Sequence, residues 1–162
     1  MAMSQDNGGK GKTTPALKRF VYIANSSIEK RTYDSIYFDV SYVKGKKMVF
    51  KYAYTGPDVE MLADDEYYET FEFEINPPKG NTFSFGSNKF EENKVLFKRS
   101  CFCLDGGIRQ LYDGKISGKK INSTTWLVEM DVVIVPRDSK TRNPLQPVRR
   151  KLKGYFHPGG II

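Results

Sequence analysis

From Leu17 to Phe156 the chain is a succession of short runs. In each, aromatic or β-branched residues alternate with polar ones, and a Gly, Pro, Asn or Asp closes the run. Alternation with period two puts every second side chain on one face of a strand. Strands are predicted at Leu17–Ala24, Ser35–Val43, Met48–Tyr54, Tyr67–Ile75, Thr82–Phe85, Lys94–Leu104, Ile108–Tyr112, Lys115–Ile121, Thr125–Val135 and Val148–Phe156. Asn25-Ser-Ser reads as a turn or short helical piece through Arg31, and Val59–Asp64 as a helical turn. Ser35–Val43 and Met48–Tyr54, joined by Lys44-Gly-Lys, are the clearest predicted hairpin. In Tyr67–Ile75, Phe71, Phe73 and Ile75 point inward while Thr70, Glu72 and Glu74 face water, the antiparallel signature. Asp113-Gly114 separates two strands as a turn. The expected fold is all-β: one antiparallel up-and-down barrel or sandwich of about 8–10 strands.

Composition agrees with the pattern. Eleven Phe, ten Tyr and one Trp in 162 residues favour pleated surfaces over helices. The length suits one domain, which buries roughly 70% of its unfolded surface. Residues 1–16 read as a polar, Gly-rich tether, 17–157 as the domain and 158–162 as a tail. No run of 18 apolar residues suggests a membrane-spanning helix. Met1-Ala2-Met3 reads as an added start, which leaves room for a removed leader.

Charge is uneven along the chain. The net charge is +7, and Arg137, Lys140, Arg142, Arg149, Arg150, Lys151 and Lys153 crowd one segment against Asp138. Arg142, Arg149, Lys151 and Lys153 are therefore the anion-binding candidates. In the last strand Arg149, Lys151 and Lys153 share one face, and Arg150, Leu152 and Gly154 the other. The three-cation face is expected to be wet, with Glu129 and Asp131 as cross-strand partners. Such a patch is chiefly structural, and nucleic-acid binding ranks second.

Chemistry is harder to seat. Gly8-Gly-Lys-Gly-Lys-Thr-Thr resembles a phosphate loop, but Asp6 stands where the first Gly belongs, and no strand precedes it. Cys101 and Cys103 share a strand face at roughly 6.5–7 Å between Cα atoms, at the limit for a disulfide. Buried free thiols are the expectation. The single His157 offers no obvious base for a nucleophile, and no metal site or cofactor is expected. The Asp64, Asp65, Glu66 and Glu69 carboxylates support an alternative reading as a carbohydrate-active enzyme. Tyr37, Tyr52, Tyr68, Tyr112 and Trp126 are the ligand-binding candidates, as aromatic surfaces for an apolar or stacking ligand.

The runs Asp113-Gly-Lys-Ile-Ser-Gly-Lys-Lys-Ile, Thr125-Trp-Leu-Val-Glu-Met-Asp-Val-Val-Ile and Lys151-Leu-Lys-Gly-Tyr-Phe resemble secreted lipoproteins of Bacteroidetes bacteria with calycin or lipocalin-like barrels. The Gly-x-Trp of lipocalin first strands is missing here, since the lone Trp is Trp126. The resemblance implies a non-enzymatic binding or surface-structural module of the bacterial cell envelope. Its partner would be a lipid, a glycan or an envelope protein, and its membrane link a lipid anchor outside this chain. The alternatives are a nucleic-acid-binding barrel and a cytoplasmic location.

Overall fold

The computed structural model describes residues 12–33, 37–60, 67–100, 109–138 and 140–160. Its strands are β1 (Thr13–Thr14), β2 (Leu17–Tyr33), β3 (Tyr37–Lys44), β4 (Lys47–Thr55), β5 (Asp58–Val59), β6 (Tyr68–Ile75), β7 (Thr82–Gly86), β8 (Leu96–Ser100), β9 (Arg109–Asn122), β10 (Thr125–Pro136) and β11 (Val148–Pro158). Among the described residues there is no α-helix, only a 3-10 turn at Ser87–Lys89. The fold is all-β, as the alternation predicts. Thr13–Thr14, within the expected tether, pairs with β5.

Nine strands form one mixed sheet in the order β7-β9-β10-β11-β2-β4-β6-β8, with β3 also on β2. This is not the expected meander. The first and last long strands meet in a short parallel pair, His157 opposite Val21 and Pro158 opposite Tyr22. The other pairs in the sheet are antiparallel. Gly154 lets this junction close, since a Cβ there would lie 2.2 Å from the Phe20 ring.

The two halves of the sheet face each other across an aromatic core. Phe50 of β4 stacks on Phe73 at 5.0 Å and meets Phe83 of β7, Trp126 of β10 and Phe156 of β11 within 6.1 Å. Val128, Met130, Val132, Ile134 and Ile116 complete it. Aromatic pairs of this kind each contribute about 0.5–1.5 kcal/mol beyond the area they bury.

The predicted hairpin of β3 and β4 does not exist. Both strands pair with β2, β3 with residues 26–33 and β4 with residues 17–26. One long β2 therefore runs against β3 and β4 in succession, and Gly45-Lys46 interrupts the second side. Asn25 is no turn either. It sits inside β2 at φ 52°, where the pairing with β4 slips between Ile23 and Ser26. Asn tolerates this left-handed conformation better than most residues.

Beyond Asn25 the β2–β3 arm lies over the outward face of β4, β6 and β8. Ile28 packs with Val49 and Leu96, and Phe38, Val40 and Tyr42 pack against them. The predicted wet face of β6 is therefore covered. Glu72 is 4% exposed and Glu74 is 2% exposed. Glu74 Oε2 accepts the Ile28 N–H at 2.7 Å and the Ser27 hydroxyl at 2.9 Å. Lys94 Nζ, 3.4 Å from Glu74 Oε1, donates to the Ile28 carbonyl at 2.6 Å. One buried carboxylate thus fastens the arm at its root.

Asp113-Gly114 is a bulge within β9 rather than a turn. Val133 opposes Asp113 and Ile134 opposes Leu111, so Tyr112 is the extra residue. Gly114 has φ +138°, and a Cβ there would stand 2.3 Å from the Asp131 carbonyl. The outward face of β10 and β11 is wet and paired as the sequence predicts. Arg149 grips Asp131 through two bonds of 2.8 and 2.6 Å, and Lys153 lies 3.0 Å from Glu129.

Two predictions test these placements. Gly114→Ala is expected to destabilise the fold by about 1–3 kcal/mol, read by urea unfolding. Gly80→Ala, with nothing within 4 Å of the new Cβ, should stay within about 0.5 kcal/mol of the parent. Glu74→Ala should strand the Ile28 N–H at a cost of about 1–3 kcal/mol. Hydrogen exchange should then accelerate at residues 26–44 while β10 amides keep their protection. Uniform acceleration across the sheet would contradict the arm's attachment.

Candidate functional site

Two cavities carry buried polar side chains. The first opens at one end of the core and is called the mouth. On the inward face of β2, β4, β6 and β8 the cross-strand registers define rows. Phe20, Tyr52, Phe71 and Phe97 form one aromatic row. The next row toward the end is Lys18, Tyr54, Glu69 and Arg99. The core thus changes from rings to charges in one step of the pleat.

Across the core, β11 adds Arg150 at a position that shares its face with Leu152, Gly154 and Phe156. Arg150 Nη2 donates to Glu69 Oε1 at 2.5 Å. Glu69 is 3% exposed, and its Oε2 accepts the Tyr67 hydroxyl at 2.7 Å. Both carboxylate oxygens are therefore engaged. Tyr67 packs edge-on against Tyr54 at 5.8 Å, and the Arg99 guanidinium lies over its ring. Burial, then the hydrogen bond to Glu69, raises the Tyr67 pKa. Burial, then the Glu69 charge, raises that of Tyr52. Both phenols stay protonated donors at neutral pH.

The mouth has a volume of about 530 Å³ and is lined by Lys18, Tyr52, Tyr54, Tyr67, Glu69, Arg150 and the Gly56-Pro57 turn. Lys18 is exposed and has no carboxylate partner among the described residues. Arg150 spends one donor on Glu69, and its side chain is 41% exposed. Among the described residues Lys18, Arg150 and Glu69 are the charged groups of the lining, and Arg99 continues their row over the Tyr67 ring. The arrangement suits an anionic group presented beside a ring.

The second cavity, of about 580 Å³, is a cleft between β3 and the outward face of β4, β6 and β8. Lys51 and Glu72 form its floor, with 3.6 Å between Nζ and Oε1, and both are buried. The Lys51 ammonium also lies over the Tyr42 ring.

The sequence candidates divide between these places. Tyr52 lines the mouth and Tyr68 the cleft. Trp126 is 3% exposed in the core, and Tyr112 stands 72% exposed on the β9 bulge, away from either cavity lining. Tyr37 belongs to β3, and its side chain lies outside the described residues. So do Asp64, Asp65, Glu66, Cys101 and Cys103.

Of the anion candidates, Arg149 and Lys153 are held by Asp131 and Glu129, and Lys151 faces Asp131 in register. The Arg149 hydrogen bond keeps the Asp131 carboxyl below its usual pKa. Arg142, at φ 64°, sits in a loop closed by Asp138 and gives its carbonyl to Arg137 at 3.1 Å. None of the four reaches the mouth or the cleft linings.

From the same basic segment it is Arg150 that reaches the mouth. A signal for it was present: in Val148–Phe156 it alternates with the apolar set, whereas its neighbours alternate with the cations. Lys18, Glu69 and Arg99 carry the same mark, each in step with inward aromatic residues. Compared with protein-family models, with curated proteins and with solved structures, the chain matches none of them.

Proposed function

We propose that the protein is a non-enzymatic binding module that receives an acidic sugar unit at the mouth. The carrying observation is the inward row of Lys18, Tyr54, Glu69 and Arg99, closed from the opposite strand by Arg150. Placing charges on a core face is costly, because each ion loses its water. A ligand that uses them supplies a reason for the expense. The exposed part of the Arg150 fork and the Lys18 ammonium supply donors for a carboxylate or sulfate. Tyr52, Tyr54 and Tyr67 supply ring faces and hydroxyl donors.

Glu69 supports binding over catalysis. A general acid or base needs an oxygen within reach of substrate, and both Glu69 oxygens are occupied by Arg150 and Tyr67. A lipid fits the mouth less well, because the row nearest the opening is charged. A position at the cell envelope is proposed on the lipoprotein resemblance of the C-terminal third alone. Whether the curled sheet ranks as a lipocalin-like barrel or a sandwich does not alter the chemistry of the mouth.

Calorimetric titration with a glucuronate-terminated oligosaccharide, its glucose-terminated counterpart and palmitate tests this. The acidic oligosaccharide should bind at least tenfold more tightly than the neutral one. Lys18→Ala, a surface change, should weaken it about three- to tenfold without altering the melting temperature. Equal affinity for the two oligosaccharides, or preference for palmitate, would refute the reading. Tight RNA binding with a steep salt dependence would replace it with the nucleic-acid alternative.

A further inference from the structure

The mouth lies beside a seam in the sheet. β11 pairs with β2 at His157 and Pro158, opposite Val21 and Tyr22, and the register ends there. Both strands run back from this junction toward the mouth, β2 to Lys18 and β11 to Arg150. Nearer the mouth, β11 keeps β10 on one edge and has no strand partner on the other among the described residues. A chain held at Arg150 can therefore pass the free edge of β11 and reach the outward face of the sheet. A continuous ladder at this point would confine a ligand to the core side.

The outward face beyond that edge is basic. Lys151 follows Arg150 directly and points the other way, as successive strand residues do. The cross-strand registers place Lys151, Asp131 and Lys115 in one row, and Lys153, Glu129, Ser117 and Ser84 in the next. Arg149 closes on Asp131 and Lys153 on Glu129, so both carboxylates are engaged. Lys151 and Lys115 flank Asp131, are exposed, and form no ion pair among the described residues. They stand two strands apart, about 10 Å between backbones. Free cations of this spacing on an open face favour an anion with several charges over a single one.

The side chains of these rows discriminate among polyanions. Stacking of nucleic-acid bases needs ring faces along the path. The two rows carry no ring, and Tyr155 stands one row further, beside Leu127 and Lys119. The hydroxyls of Ser117 and Ser84 occupy the path instead. Ammonium groups and hydroxyls without rings suit a sugar chain that carries carboxylates.

We propose that the mouth receives the end of a polymer of acidic sugars, and that its next units cross the free edge of β11 and lie on the outward face with carboxylates against Lys151 and Lys115. This rests on the acidic-sugar reading of the mouth and extends it from one unit to a chain. Once the end is held, the second contact is intramolecular, so a charged chain gains affinity that a single unit lacks.

The test is calorimetric titration of the full chain with hyaluronan oligosaccharides of two and eight units, each ending in glucuronate. The third probe is an eight-unit oligosaccharide with the same end and glucose in every other position. The charged octamer should bind at least tenfold more tightly than the disaccharide, and the neutral extension should add less than twofold. Lys115→Ala combined with Lys151→Ala should bring the charged octamer within twofold of the disaccharide. Disaccharide affinity and melting temperature should not change, because both side chains are exposed and Asp131 keeps Arg149. Lys18→Ala should weaken both lengths by the same factor. Lys44→Ala, which removes an exposed lysine on β3, should leave the gain with length intact.

Disaccharide binding with no gain for the charged octamer would overturn this inference and leave the reading of the mouth in place. So would a gain that survives the double variant, or one that the neutral extension reproduces. Failure of both lengths to bind would remove the reading of the mouth and this one with it. Tighter binding of an RNA octamer than of the charged oligosaccharide, lost in the double variant, would assign the face to nucleic acid instead.

Discussion

The structure depends on pairing the three carboxylates of one strand. β6 is buried on both faces, yet Glu69, Glu72 and Glu74 interrupt its apolar residues. A buried, unpaired carboxylate is prohibitively costly. Each therefore dictates a neighbour. Glu69 draws Arg150 across the core, Glu72 draws Lys51 from β4, and Glu74 draws Lys94 together with the Ile28 N–H and Ser27 hydroxyl. These contacts tie β6 to the far side of the core, to its own sheet neighbour and to the folded arm. Arrangements that leave any of them unmet are penalised by several kcal/mol per ion, so the ion pairs select one packing among many that an aromatic core alone would tolerate.

The arm follows from the same constraint. A two-stranded ribbon is marginal in water without a surface to cover. The distal part of β2 with β3 finds that surface on the outward face of β4, β6 and β8. Asn25 at positive φ and the break at Gly45-Lys46 fall at corresponding places on the two sides of this ribbon. Both relieve the pairing where the arm leaves the plane of β4. The arm in turn hides Glu72 and Glu74, whose pairs then become worth keeping.

The two cavities lie on opposite faces of the same strand and carry different side chains. Lys18, Arg150 and Glu69 are the charged residues described at the mouth, and Asp39, Lys51, Glu72 and Lys98 those described in the cleft. Inward residues Glu69 and Tyr54 serve the first, and outward residues Lys51, Thr70 and Glu72 the second. Because successive β-residues point to opposite faces, β4 and β6 build both cavities from adjacent positions. A change to the backbone of either strand would thus be felt in both, while single side-chain changes stay local.

The alternation in the chain by itself determined that the fold is all-β and which residues share a face. The sets Phe71, Phe73, Ile75 and Trp126, Val128, Met130, Val132, Ile134 are buried as the pattern implies. It also placed Arg149 and Lys153 on a wet face with Asp131 and Glu129. The inward positions of Lys18, Glu69 and Arg150 were legible in the same way, although only their meeting gives them meaning. The tertiary structure alone decided what covers each face and which strands pair. Glu72 and Glu74 alternate as solvent-facing residues do, and nothing near them in sequence announces the arm. Lys44-Gly-Lys has the composition of a hairpin turn, yet β2 offers both flanking strands a longer partner. Asp113-Gly114 has the composition of a turn and is used as a bulge. The physical reason is one of range. Period and propensity act between neighbours along the chain, whereas burial of an outward face, strand order and ion-pair partners are settled between residues dozens of positions apart.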